Sequence, residues 1–264
     1  MTYTEIRPAG GDTATPVNLQ RRVSLIDRCS EIAGKRILDC GCGAGDYVLA
    51  LRALGAEAWG VEYDQGKLQR FRSRSHDATC ACAGDLSKLG FRSGTFDLAL
   101  LNEVLEHVPD DRGALGEIHR VLKDNGTLFL FSPNRLYPFE THGVTLKWAS
   151  RRLPHYLPFV PYVPLSVGRH VFSYWARNYW PTELRRMVTD AGFTLVSAGY
   201  VWQTFEAISG HQPAVVTAMA PWLRQAAAAL ERIPGVRMLG VSQVIVATKQ
   251  RGSTPRSTNG HRSI

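Results

Sequence analysis

At 264 residues the chain can form one complete α/β domain with an insertion, but not two large domains. Its 44% hydrophobic and 20% charged residues are ordinary for a globular protein, and no apolar run reaches the roughly twenty residues of a membrane span. Of the formal charge of +8, Lys249, Arg251, Arg256 and Arg262 in the final segment supply four, which leaves +4 on everything before it.

In chain order, residues 1–16 read as a flexible leader. They are polar and lack the apolar core of a signal peptide, so a cytoplasmic protein is expected. Residues 17–32 carry apolar residues at helical spacing (Val23, Ile26, Ile32), and Gly34 ends that helix. A strand is expected over 36–40, a helix over 46–54, a strand over 58–62 and a helix over 64–72. A third strand follows over 78–83, a fourth over 96–102, a helix over 110–122 and a fifth strand over 127–132. Such alternation implies a parallel sheet with helices on both faces. From Pro133 to Trp180 the chain is dense in proline and aromatic residues, which argues against a long helix or central strand. This stretch reads as a cap or lid insertion over 133–180. Order resumes with a helix over 182–191, a strand over 193–202, a helical stretch over 213–232 interrupted at Pro221, and a last, reversed strand over 241–248. One domain then spans 17–248, followed by a basic, disordered tail over 249–264.

Residues 37–47 read ILDCGCGAGDY. A buried strand ends in Asp39 and is followed by glycines at 41, 43 and 45. Glycine permits a sharp turn and lets a ligand lie against the main chain. A dinucleotide fingerprint, G-x-G-x-x-G, would need a third glycine under a pyrophosphate. Asp46 stands there instead. That disfavours a nicotinamide-dependent oxidoreductase and suits a nucleoside without phosphates. Three more elements close successive strands where open α/β sheets bind ligands: Glu62, then Asp85 with Leu86, then Asn102 to His107. Glu62 can accept from two ribose hydroxyls. Asp85 can accept from an adenine amine while Leu86 offers its backbone N–H. Cys40 and Cys42 face the pair Cys80 and Cys82 only across the intervening second strand, about 10 Å away. Small buried thiols in a reducing compartment therefore explain them better than zinc.

This set resembles the class I S-adenosylmethionine-dependent methyltransferases, closely over about 35–132 and in less detail over 181–248. The segment VLEHVPD, 104–110, resembles a large small-molecule group that includes quinone-pathway enzymes. The resemblance implies a doubly wound, seven-stranded, mostly parallel Rossmann-like sheet with the last strand reversed. It implies S-adenosylmethionine as cofactor, held by Asp39, Gly41, Cys42, Gly43, Gly45, Tyr47, Glu62, Tyr63, Asp85, Leu86 and Asn102. A sulfonium methyl is already a strong electrophile, so the protein mainly aligns the acceptor. A hydroxyl acceptor would gain from a base. His107 is one candidate, and Glu140 with His142 in PNRLYPFETHG is a second, with Tyr137 and Phe139 walling an acceptor pocket.

No metal is expected. Similarity to small-RNA 2′-O-methyltransferases and some ubiquinone-pathway enzymes nevertheless marks Glu103, Glu106, His107 and His170 as the residues that would hold a divalent ion. The insertion loosely resembles those of saccharide- and glycolipid-pathway members. The acceptor expected is therefore an oxygen of a small molecule, a saccharide or a lipid-linked compound. The basic stretch Arg135, Lys147, Arg151, Arg152 and Arg169, together with the apolar segment 153–165, would suit contact with a membrane surface, a cap over an apolar acceptor, or a solvated face. The rival readings are an RNA ribose methyltransferase, for which no RNA-binding module is visible, and a non-catalytic cofactor-binding subunit, which the intact glycines and acids disfavour.

Overall fold

A computed structural model describes residues 16–75, 77–153, 157–202 and 214–252. Residues 1–15 of the expected leader 1–16 and 253–264 of the expected tail 249–264 lie outside them, while Pro16 opens the first helix and Lys249 closes the last strand. The strands are β1 (Arg36–Cys40), β2 (Glu57–Glu62), β3 (Ala81–Ala83), β4 (Phe96–Asn102), β5 (Leu122–Pro133), β6 (Val144–Leu146), β7 (Arg151–Arg152), β8 (Phe172–Tyr174), β9 (Phe193–Val201) and β10 (Ser242–Lys249). The helices are α1 (Pro16–Ser30), α2 (Asp46–Ala53), α3 (Gln65–Arg74), α4 (Asp111–Val121), α5 (Leu165–Val171), α6 (Pro181–Asp190) and α7 (Ala214–Leu230). The seven-stranded sheet has the order β3-β2-β1-β4-β5-β10-β9. β10 runs antiparallel to both neighbours, as expected, and β1, β2, β3, β4 and β5 are mutually parallel.

Alternation along the central strands divides the core in two. Ile37, Leu98 and Leu100 point to the face covered by α1, α2 and α3, where Ile26, Val48, Leu51 and Phe71 are buried. Leu38, Ala99 and Leu101 point to the other face and pack on Leu115 and Ile118 of α4 and Leu184 and Val188 of α6. A parallel strand buried on both faces must be apolar at every position, as β4 is through LALL.

Several expected boundaries move. Residues 78–80 form a 3₁₀ turn, and β3 keeps only three residues because it is the sheet edge. β5 begins at Leu122 and takes in the Asn125-Gly126 segment, with a register shift against β4. α7 continues through Pro221. The insertion is not irregular throughout. It builds its own antiparallel sheet, β7-β6-β8, and the short α5, satisfying the backbone with strands too short for its prolines to interrupt.

Candidate active site

The turn after β1 is anchored to β2, with Gly41 N–H and Cys42 N–H both donating to the Val61 carbonyl (2.8 and 3.0 Å). Its glycines have different reasons to be there. Gly45, at φ 86°, caps α2, and a Cβ there would come within 2.1 Å of the Phe71 ring. Gly43, at φ 56°, has nothing within 4 Å of where a Cβ would project. That open face is the one through which a ligand can approach the main chain. Glu62 is buried and pinned, Oε2 accepting from Gly43 N–H and Oε1 from Asp64 N–H, each at 2.8 Å. Both oxygens retain lone pairs for further donors.

Asp39 is buried beside this turn, and Oδ2 has no hydrogen-bond partner. Burial first, then the neighbouring Glu62 and Asp46, pushes its carboxyl up to about 8. Asp46, at the start of α2, pairs with Arg74 at 2.5 Å. Cys42 and Tyr47 are buried beneath the turn, and burial pushes the Tyr47 phenol up to about 12. Tyr63 is exposed and Leu86 buried, while Asp85 Oδ1 accepts from Ser87 N–H and hydroxyl (2.8 Å each) at the end of β3. The C-x-C pairs stay apart. β2 lies between their strands, all five cysteines are free, and no cysteine joins a potential metal group among the described residues.

One important residue was not among those expected. Arg22 of α1 is buried. It donates to Asn102 Oδ1, reaches Glu103 Oε1 at 2.9 Å and lies 4.6 Å from the centroid of the Phe131 ring. Its Nε has no partner. The clue in the sequence was its position four residues before Ile26, on the inward stripe of the helix. Glu103 is held by Arg22 and by the Ser242 hydroxyl, and its backbone adopts φ 53°, a strained value for a residue other than glycine.

Past Glu103, a 3₁₀ turn over Leu105–His107 presents Glu106 and His107 at the carboxyl end of β4. The loop after β5 brings His142 to the same place. Nε2 of His107 and of His142 lie 3.9 and 3.8 Å from Glu106 Oε1, with the rings 5.4 Å apart. The expected ligand set Glu103, Glu106, His107 and His170 is therefore not the one assembled. Glu103 turns to Arg22, and His170 sits exposed near the end of α5. Glu106, His107 and His142 instead offer ligand atoms all within 4.8 Å of one another.

Glu106 is fully buried, and neither oxygen has a hydrogen-bond partner. Burial, with Glu103 nearby, raises its carboxyl well above the usual range. His107 Nδ1 lies 3.3 Å from the Trp175 carbonyl, and the tautomer that donates there leaves Nε2 as an acceptor facing Glu106. Burial and the adjacent His142 push the His107 imidazole down to about 3, so it stays uncharged near neutrality. Glu140 is buried with both oxygens engaged, Oε1 with His142 N–H at 2.9 Å and Oε2 with Asn178 at 3.1 Å. The insertion roofs this group, with Arg177 N–H donating to the Glu106 carbonyl at 3.2 Å. Tyr137 and Phe139 form a tilted ring pair at its edge, 5.6 Å apart.

A reversed last strand, an open glycine turn and a carboxylate pinned one strand over define a nucleoside-binding enzyme of the methyltransferase type. Residues 38–130 match the family model described as "Methyltransferase domain". The ubiquinone biosynthesis O-methyltransferase of Pseudomonas paraeruginosa is 31% identical over 180 residues, 65% of this chain and 69% of that protein. The enzyme of the same name from Chromobacterium violaceum is 30% identical over 189 residues, 68% of this chain and 74% of that one. An S-adenosylmethionine-dependent methyltransferase from Mesorhizobium loti superposes with a TM-score of 0.57 at 20% identity, covering 86% of this chain and 96% of its own. The [4+2]-cyclase SpnF shares the fold at a TM-score of 0.55 and 20% identity, covering 88% and 82%. The chain belongs to the class I S-adenosylmethionine-dependent methyltransferases, and S-adenosylmethionine is its cofactor.

Proposed function

We propose that the enzyme methylates an oxygen of a small-molecule acceptor, a phenolic or sugar hydroxyl carried on a lipid or saccharide, in the cytoplasm or at its membrane face. One observation carries this reading: His107 and His142 converge on the buried Glu106 under the insertion, where the strand order exposes the end of β4. The name shared by the relatives, ubiquinone biosynthesis O-methyltransferase, supports oxygen as the accepting atom.

Bound S-adenosylmethionine supplies an electrophilic methyl group. Gly41, Gly43 and Gly45 give its backbone cradle, with Asp39, Cys42 and Tyr47 shaping the turn from below. Glu62 accepts from the sugar, with Tyr63 beside it, and Asp85 and Leu86 meet the base. Arg22, held by Asn102, attracts the carboxylate of the methionine half. An acceptor hydroxyl among the three side chains lies within reach of both imidazole Nε2 atoms. An uncharged imidazole takes its proton, and Glu106 Oε1 accepts a hydrogen bond from the N–H that forms. Proton removal of this kind contributes about 10²–10⁴-fold. Glu140 is a positioning residue here, fixing His142 through its backbone. The test is transfer of labelled methyl to a panel of catechols, quinols and glycolipids. Label in small RNA alone would overturn the acceptor class.

A second reading rests on Glu106 itself. A fully buried carboxylate without a donor is costly unless a cation faces it. Glu106, His107 and His142 could together hold a divalent ion that lowers the pKa of the acceptor hydroxyl. Exhaustive chelation separates the two. A rate unchanged by chelation supports the imidazole base, and a rate lost and then restored by Mg²⁺ or Mn²⁺ supports the ion.

A further inference from the structure

We propose that the β6–β7 hairpin tip and the adjoining end of α5 form a docking surface for an anionic phospholipid bilayer. Trp148, at the tip, is 80% exposed, more than any other large apolar side chain among the described residues. Register is fixed on either side of it by the pairs Thr145↔Arg152 and Leu146↔Arg151, so the indole projects from a held turn. Lys147 precedes it and Arg151 and Arg152 follow it in the hairpin; all three are exposed, with Arg152 4.1 Å from the centroid of the Trp175 ring. Lys147 N–H donates to the Val171 carbonyl at 3.0 Å, which sets the tip against the end of α5. That helix presents Val167, 56% exposed, and an exposed Arg169. From 141 to 182 the chain contains no aspartate or glutamate, and Glu140, the one acid of the insertion, is buried with both oxygens engaged, so no exposed acid within the insertion offsets these cations.

Arg135, which the sequence placed in the same basic stretch, does not belong to this surface. It is buried, donates to the carbonyls of Pro161 and Val163 and stacks against Trp180. The exposed charge is therefore gathered at the tip. An indole with an apolar body and a polar N–H favours the headgroup boundary, and lysine and arginine beside it meet anionic lipid. Single-stranded nucleic acid is instead held by successive exposed aromatics along a groove, whereas here Trp148 is the aromatic exposed at the tip, and Trp175 behind it is half-buried, its N–H donating to Thr145 and its ring covered by Arg152.

β6 begins two residues after His142, so the tip stands about 20 Å of extended chain from the catalytic group. Docking would bring that group to the surface where an apolar acceptor is dissolved. This consequence rests on the lipid-linked reading, but the docking itself does not.

The full chain would be sedimented with vesicles of phosphatidylcholine alone and of phosphatidylcholine mixed with phosphatidylglycerol. Binding to the mixed vesicles only, weakening as salt rises, is the expected result. Arg151→Glu with Arg152→Glu, and separately Trp148→Ser, should each lower partition by about tenfold or more. Calorimetric binding of S-adenosylmethionine should stay as in the parent chain, which also checks folding. Equal partition into neutral and anionic vesicles would overturn the proposal, as would parental binding by the charge-reversed variant. So would binding of a short RNA with no binding of vesicles. The wild-type lipid comparison needs no variant to fold. Vesicle binding without methyl transfer to any lipid-linked acceptor would remove the acceptor class and leave the docking surface standing.

Discussion

Nε2 of His142 stands 3.8 Å from Oε1 of Glu106, although all of α4 and β5 lie between the two residues in the chain. β4 and β5 are neighbours, so the loops at their carboxyl ends must meet. The same meeting puts His107 opposite His142. Replacing His142 by alanine should lower kcat by about 10²–10⁴ while leaving the dissociation constant of S-adenosylmethionine unchanged. Single-turnover kinetics with the preferred acceptor would check this. An unchanged kcat would exclude His142 from proton transfer.

Glu140 acts on the same imidazole from behind. Glu140→Gln keeps one acceptor for His142 N–H and should cost less than tenfold. Glu140→Ala frees the loop and should raise KM together with lowering kcat. Equal kinetics for the two variants would show that its hydrogen bonds do not position His142.

Two glycines in the first turn should respond differently. Gly43→Ala meets open space, so its cost to folding is about 1–2 kcal/mol from the left-handed backbone, but it should weaken cofactor binding sharply. Gly45→Ala places a methyl into the Phe71 ring and should fail by destabilisation first. Thermal melts with and without S-adenosylmethionine distinguish a lost ligand shift from a lowered apo midpoint.

Asp39 gives a pH dependence with a definite sign. Its folded-state pKa is raised from 3.8 to about 8, so the fold holds this proton more tightly than the unfolded chain does. The contribution is complete below about pH 4 and disappears as pH rises through 8. Asp39→Asn removes the titration. The stability of this variant relative to the parent should therefore improve between pH 4 and 8, by on the order of a few kcal/mol. Parallel stability curves would show that the carboxyl ionises freely in the native state.

Arg22→Met should destabilise the fold by about 1–3 kcal/mol, because Asn102 loses this donor and Glu103 keeps only the Ser242 hydroxyl in place of a cation. It should also weaken cofactor binding more than it changes acceptor KM. Calorimetry on the variant decides the second point. An unaltered affinity would leave Arg22 a purely structural residue.

Local pattern was enough for β1, α2, β2, β4 and β10, because apolar runs punctuated by glycine have few other ways to be buried, whereas the reversed direction of β10 came only with the resemblance. The same is true of the Asp39-to-Gly45 turn and of Glu62, whose places follow from strand ends. The insertion was legible only as a break in periodicity. Its proline density hid a three-stranded sheet whose pairings are too short to leave an alternating pattern.

Sequence by itself determined the chemistry available to the cofactor, since a glycine turn and the acid one strand over follow from local spacing and sheet order. Only the tertiary structure decided which histidine meets Glu106, because that depends on how two loops far apart in the chain fold over a shared sheet end. It also decided that Arg22 turns inward to Asn102, that Glu103 faces Arg22 and not His107, and that Arg135 is buried while Trp148 is exposed. A side chain's surroundings are set by packing across elements, which the spacing of residues along one element does not encode.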